Sequence, residues 1–308
     1  MSLADRTPPT AAEFKTYRDR FSNWGRWGDD DQIGTINHIT DETRRSSAAL
    51  VREGRTVSLA RPFATADADP SPLNASPADH RMTFHGAIAC TDYIGVSYHG
   101  YVNTHIDALC HVYGSDEIMY NNRPISEVTE AGATSNSVDH WRGGIVTRGV
   151  LYDIPRHRGV PHVTVEEPVH GWELLDVAKA QGVEPRPGDA VLVRSGRAAF
   201  ESANPTQMDP RARPGLHGSM IEFFYDYDSA LLGWDLMEAA GQEEYGTQIG
   251  PIHNFALPYM GLALLDNADL EQLAETCAEL GRWEFQLVIA PLVVIGGTGS
   301  PVNPIAMF

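Results

Sequence analysis

Cysteine is scarce in this chain of 308 residues: Cys90, Cys110 and Cys277 cannot all pair, and no CxxC spacing occurs. That excludes a disulfide framework and fits a reducing compartment. Basic residues are also few, with 23 Lys and Arg against 41 Asp and Glu, a formal charge of -18. Such a surface repels phosphate backbones and acidic lipid headgroups, so nucleic-acid and membrane partners are excluded as expectations. No stretch reaches the ~20 continuous apolar residues of a membrane helix. Met1 to Arg6 has no apolar segment of a secretory signal, so the expected location is cytoplasmic. With 42% hydrophobic residues the composition excludes a disordered or fibrous chain. A chain this long builds a core without staples.

The pattern along the chain predicts one α/β domain over residues 1–308, with 1–60 as an N-terminal extension packed on it. A helix is predicted from Thr10 to Phe21, and Thr40 with Asp41 and Glu42 reads as a helix start. Residues 62–84, rich in Pro, Ala, Ser and Asp, read as an excursion or lid. Strand-like alternation runs from 85 to 114, and short β-branched runs predict strands at 144–153, 189–194 and 285–295. Helical periods at 172–180 and 269–280 end at Gly182 and Gly281. The order of elements implies a mixed sheet with flanking helices.

Chemistry concentrates in the run from Tyr98 to His111. On an extended backbone His105, Asp107 and His111 share a face, and a His and an Asp two apart present two ligand atoms to one divalent ion. HxDxxxH is a loose pattern in a chain with 12 histidines. Spacing alone leaves open whether these are ligands or histidines paired with local carboxylates on a half-buried strand. Other features are weaker. Ser195 lacks a GxSxG elbow, Gly296 to Gly299 lacks the lysine of a phosphate loop, and Cys110 reads as a small buried hydrophobe.

The segment Thr104 to His111 resembles the H-x-G-T-H-x-D-x-P-x-H signature of the cyclase-like metal-dependent hydrolases, which include kynurenine formamidase and isatin hydrolase. Further ordered blocks are similar to the longer branch of that family. They are Trp24 to Gly28 with Asp31 to Asn37, Pro251 to His253 with Gly261 to Asn267, and Pro291-Leu292 with Gly297 to Pro304. The resemblance implies a swivelling β/β/α fold and a divalent metal, Zn or Mn. It assigns His105, Asp107 and His253 as ligands, with Asp266 standing where the family usually has Glu. His111 takes the place of the base or proton shuttle. The family's first histidine falls on Tyr101, and the glycine before Thr104 is Asn103, which puts a two-ion site in doubt. His99, six residues before His105, substitutes for that first histidine only if a bend or bulge re-aims it, since a straight strand carries it ~20 Å away; otherwise it reads as a substrate-facing or structural imidazole. Tyr101, Trp24 and Trp27 are candidate ring contacts, with core packing equally open for the tryptophans.

The resemblance further implies hydrolysis of an arylformamide, an isatin-like cyclic amide or a lactone by metal-activated water. It also implies a small aromatic or cyclic substrate and a homo-dimer or homo-tetramer. A metal-dependent lyase or cyclase, or a silent binding protein, are the alternative readings.

Overall fold

Short apolar runs bounded by glycine or charge form the strands, and the sheet they build carries the chemistry at one end. The computed structural model describes residues 2–67, 73–114, 116–206, 209 and 212–308. Its main strands are β1 (Thr56–Ser58), β2 (Asp79–His85), β3 (Cys90–Gly95), β4 (His105–Asp107), β5 (Ile145–Asp153) and β6 (Ala190–Arg194). They continue with β7 (Leu231–Trp234), β8 (Ala263–Asp266), β9 (Glu284–Ile289), β10 (Gly299–Pro301) and β11 (Ile305–Met307). Nine of these make one mixed sheet in the order β1-β11-β9-β5-β6-β7-β8-β4-β10. The central strands β5 to β8 run parallel; their neighbours on both sides are antiparallel. This is the mixed α/β domain with flanking helices that the sequence implies.

Burial follows the patterns. β6 and β7 are almost wholly buried, as expected of continuous apolar runs covered on both faces. The helices Gly171–Gln181 and Glu271–Leu280 bury one stripe each and end at left-handed Gly182 and Gly281. At the N-terminus, Thr10 and Glu13 form a reciprocal capping box on Ala11–Lys15. The expected single helix to Phe21 is broken at Thr16 and resumes as Tyr17–Phe21. Phe14, Tyr17 and Phe21 from these two turns sit in the main core. Gly34, at φ +61°, lies so close to Gly261 that an added Cβ would stand 2.0 Å from its carbonyl oxygen, and Thr35 donates its N–H to that same oxygen.

Three expectations need correction. Residues 85–114 are not one strand: β3 ends at Gly95, and β4 begins only at His105 after a bend through Gly100, whose φ is +116°. The strand expected to run to Ile295 stops at Ile289, because Pro291 has no N–H for a ladder and Leu292 to Ile295 turn out to solvent. Within the 62–84 excursion, Asn74 donates to the Ala64 carbonyl, and residues 79–84 belong to the β2–β3 hairpin. Residues 68–72 of that excursion lie outside the described part. No described helix is long and apolar enough to cross a membrane.

Candidate metal centre and its cleft

Register, more than sequence spacing, assembles the site. β4 lies between β8 and β10, with His105 directly opposite Asp266 and Asp107 opposite Leu264. Directly opposed residues of antiparallel strands share a face, so His105, Asp107 and Asp266 project together. His253 arrives from a single helical turn, His253–Phe255, near the carboxyl ends of the parallel strands, the usual place for a site in an open α/β sheet.

The four groups converge. His105 Nε2 is 3.3 Å from Asp107 Oδ1 and 3.8 Å from Asp266 Oδ2. His253 Nε2 is 3.2 Å from Asp266 Oδ2 and 3.7 Å from Asp107 Oδ2. Ligand atoms ~2.0–2.1 Å from one tetrahedral ion stand roughly 3.3 Å from each other, so His105, Asp107 and Asp266 are spaced to suit a shared cation, with His253 Nε2 next to Asp266. Both Asp107 oxygens are buried and lack a partner with hydrogen-bond geometry, although imidazole nitrogens lie close by. A fully buried carboxylate with both oxygens unsatisfied is the feature an ion would complete.

The outer nitrogens are held. His105 Nδ1 lies 2.8 Å from the Asn103 carbonyl oxygen, which fixes an Nδ1–H tautomer and frees Nε2. His253 Nδ1 lies 2.8 and 2.9 Å from the two Glu238 oxygens, an imidazole–carboxylate pair aimed at the centre. Trp234 Nε1 donates to Asp266 Oδ1 at 2.5 Å, leaving Oδ2 for the cluster. Neither Glu238 nor Trp234 stood out in the sequence. Recognising 230–234 as a buried strand would have placed both near its carboxyl end.

Electrostatics agree with the geometry. Burial opposes the ionised form of Asp107, but His111 and His105 outweigh it and hold the carboxyl well below its usual range. Burial likewise opposes the charged form of His253, yet Glu238 and Asp266 hold that imidazole well above its ordinary value. In the metal-free protein, protons on the imidazoles stand where a divalent cation would neutralise the carboxylates.

His99 is brought to the centre by a bend at Gly100, the alternative to a straight strand that the sequence leaves open. Its Nδ1 lies 2.9 Å from Asp107 Oδ1, and its Nε2 lies 3.1 Å from Thr298 Oγ1. Gly299 makes this possible, because a Cβ there would meet the His99 ring at 3.0 Å and the Ile106 carbonyl oxygen at 2.5 Å. The 296–299 turn is thus a support for His99. His111 stands at the edge with Nε2 3.8 Å from Asp107 Oδ2, and burial pushes its pKa down to about 4. His105, Asp107 and Asp266 form one grouping able to hold an ion; His99, Asp107 and His111 form a second.

A cleft of about 410 Å³ opens on the centre, lined by Tyr101, His105, His111, Arg197, Arg213 and His253 among others. Tyr101 therefore faces the expected substrate space. Trp24 and Trp27 do not line it, which corrects the ring-contact expectation for this chain. Trp24 donates to the Pro258 carbonyl and packs on Tyr259, while Trp27 packs edge-on against His38. Cys110 is buried with its thiol pushed up to about 12, as befits a packing residue.

Comparison with known proteins follows the same lines. A solved structure described as a novel cyclase superposes with TM-score 0.82 at 27% identity, covering 94% of this chain and 99% of that one. Isatin hydrolase A from Labrenzia aggregata gives TM-score 0.58 at 19% identity, covering 82% and 93% of the two chains. An isatin hydrolase bound to the product analogue thioisatinate gives 0.57 at 16%, covering 87% and 98%. The isatin hydrolases share the fold with this chain. No curated protein sequence matches it. The Cyclase family model matches residues 33–240, more than half of the sequence, and the chain therefore belongs to the cyclase family.

Proposed function

We propose that this protein is a metal-dependent hydrolase that opens an amide or lactone carbonyl in a small aromatic or cyclic compound. The observation that carries the reading is the convergence of His105, Asp107, His253 and Asp266 at the base of a cleft with a neutral imidazole, His111, on its edge. His105, Asp107, His253 and Asp266 would hold a divalent ion, Zn or Mn, which would supply a Lewis acid to polarise a carbonyl and acidify water. His111 takes a proton from the attacking water as the new C–O bond forms. It returns that proton to the departing nitrogen or oxygen as the C–N or C–O bond breaks. Glu238 fixes His253, and Trp234 orients Asp266. Tyr101 offers flat contact for a ring.

Arylformamides and isatin-like cyclic amides are the first substrates of choice, with lactones next. Isatin is named for fold neighbours of this chain, which supports a cyclic amide through shared architecture. Turnover of such a panel in ¹⁸O-labelled water decides the matter: hydrolysis places one labelled oxygen in the new acid. An enzyme-dependent product without label points instead to a lyase or cyclase using the same centre to stabilise an enolate.

The reading includes a homo-oligomer, dimer or tetramer. The β2–β3 hairpin is exposed along nearly its whole length, with Met82, Phe84, Ile88, Tyr93 and Ile94 open to solvent. A lone two-stranded hairpin is marginal in water, so packing against a second copy is what would stabilise it.

A further inference from the structure

We infer that Arg213 seats a carboxylate in the cleft, so that the hydrolase reading, on which this inference rests, narrows to substrates carrying an acidic group besides the carbonyl that is opened. Three guanidiniums share one carboxylate here. Glu201 Oε1 lies 2.7 Å from Arg197 Nε and 2.9 Å from Arg213 Nη2, and Glu201 Oε2 lies 3.5 Å from Arg61 Nη2. Arg197 and Arg213 are buried, at 3% and 5% exposure, in a chain that otherwise carries a large excess of acid.

The two buried arginines differ in what remains to them. Arg197 donates to Glu201, to Asn267 Oδ1 and to the Tyr101 and Asp235 carbonyls, which takes four of its five N–H donors. Arg213 lines the cleft, lies over the Phe200 ring and makes its side-chain hydrogen bond through Nη2 alone among the described residues, while its Nε is buried without a hydrogen-bond partner. Two of the acids that line the cleft are committed elsewhere, and Glu243 stands exposed on its wall without a pairing to Arg213. Asp235 accepts the backbone N–H groups of Ser195, Gly196 and Arg197, and Glu238 is paired with His253. A buried cation with spare donors, whose one paired carboxylate is shared with two other guanidiniums, is costly unless a ligand supplies further negative charge. The planar guanidinium fork suits the two oxygens of a carboxylate. Arg197 ties this subsite to the centre, since its partner Asn267 follows Asp266 in the chain. The acidic group would thus lie on the same wall as the reacting carbonyl.

Calorimetric titration with benzoate and benzamide tests the subsite without reference to turnover. Wild-type protein should bind benzoate at least about 10-fold more tightly than benzamide, and Arg213→Gln should weaken benzoate about 10- to 100-fold. Arg213→Lys, which keeps charge without the fork, should fall between, and it serves if the glutamine variant does not fold. Equal benzoate affinity in wild type and variants, or no benzoate binding to folded wild type, overturns the subsite. For a lactone acid and its methyl ester, the acid-to-ester ratio of kcat/KM should collapse by a similar factor in Arg213→Gln through KM. An unchanged ratio also overturns it. Failure of the panel in labelled water with benzoate binding intact defeats the hydrolase reading and leaves the anion subsite standing.

Discussion

His99 and His111 lie face to face, ring centroids 3.8 Å apart and planes 2° from parallel, and each turns a nitrogen toward Asp107. The stack fixes the plane of His111, which the proposed mechanism uses as a proton carrier. It also makes the pair, with Asp107, a possible second ion site, so the number of ions is a direct test of the roles assigned.

One ion per chain is expected by elemental analysis. His105→Ala should be metal-free, since removing one of four ligands leaves too few for zinc-like coordination. His111→Ala should keep its ion and lose about 10²- to 10⁴-fold in turnover. Two ions in wild type, falling to one in His111→Ala, would make His111 a ligand instead.

Glu238→Gln should weaken metal retention about 10- to 100-fold, because Glu238 sets the tautomer and basicity of His253. Competition with a chelating dye measures this. Unaltered affinity would reduce Glu238 to a packing role.

Stability should decline in mild acid. His217 accepts the Ser219 N–H at Nδ1, and burial pushes its pKa down to about 4; burial and then the neighbouring His217 take His170 to about 3. Unfolded histidine titrates near ~6.5, so between these values the unfolded chain binds more protons. Stabilisation is therefore complete above pH ~6.5 and is lost as the pH falls toward the folded values. For His217 the loss is about 2 kcal/mol at pH 5. Urea midpoints at pH 7.5 and pH 5 read it, and a flat profile would argue against burial of neutral imidazoles.

Placing Asp at Phe84 and Ile88 on the exposed hairpin should shift the assembly to smaller species by light scattering while leaving far-ultraviolet dichroism unchanged. An unaltered mass would remove the hairpin from the interface.

Local chemistry was enough for much of this. Apolar runs marked β5 and β6, glycine stops closed the two longer helices, and the two-residue spacing of His105 and Asp107 marked them as a ligand pair, though not the bounds of β4. These signals are short-range: side-chain alternation, a missing Cβ, a capping hydroxyl. What brings Asp266 opposite His105 is strand register across about 160 residues, for which no local pattern exists. The bend at Gly100 that delivers His99, the reach of Glu238 to His253, and the convergence of three arginines on Glu201 are of the same kind. Sequence determined which residues could bind an ion or a ring; tertiary packing decided which of them meet, because a contact between distant segments depends on how the whole sheet is ordered.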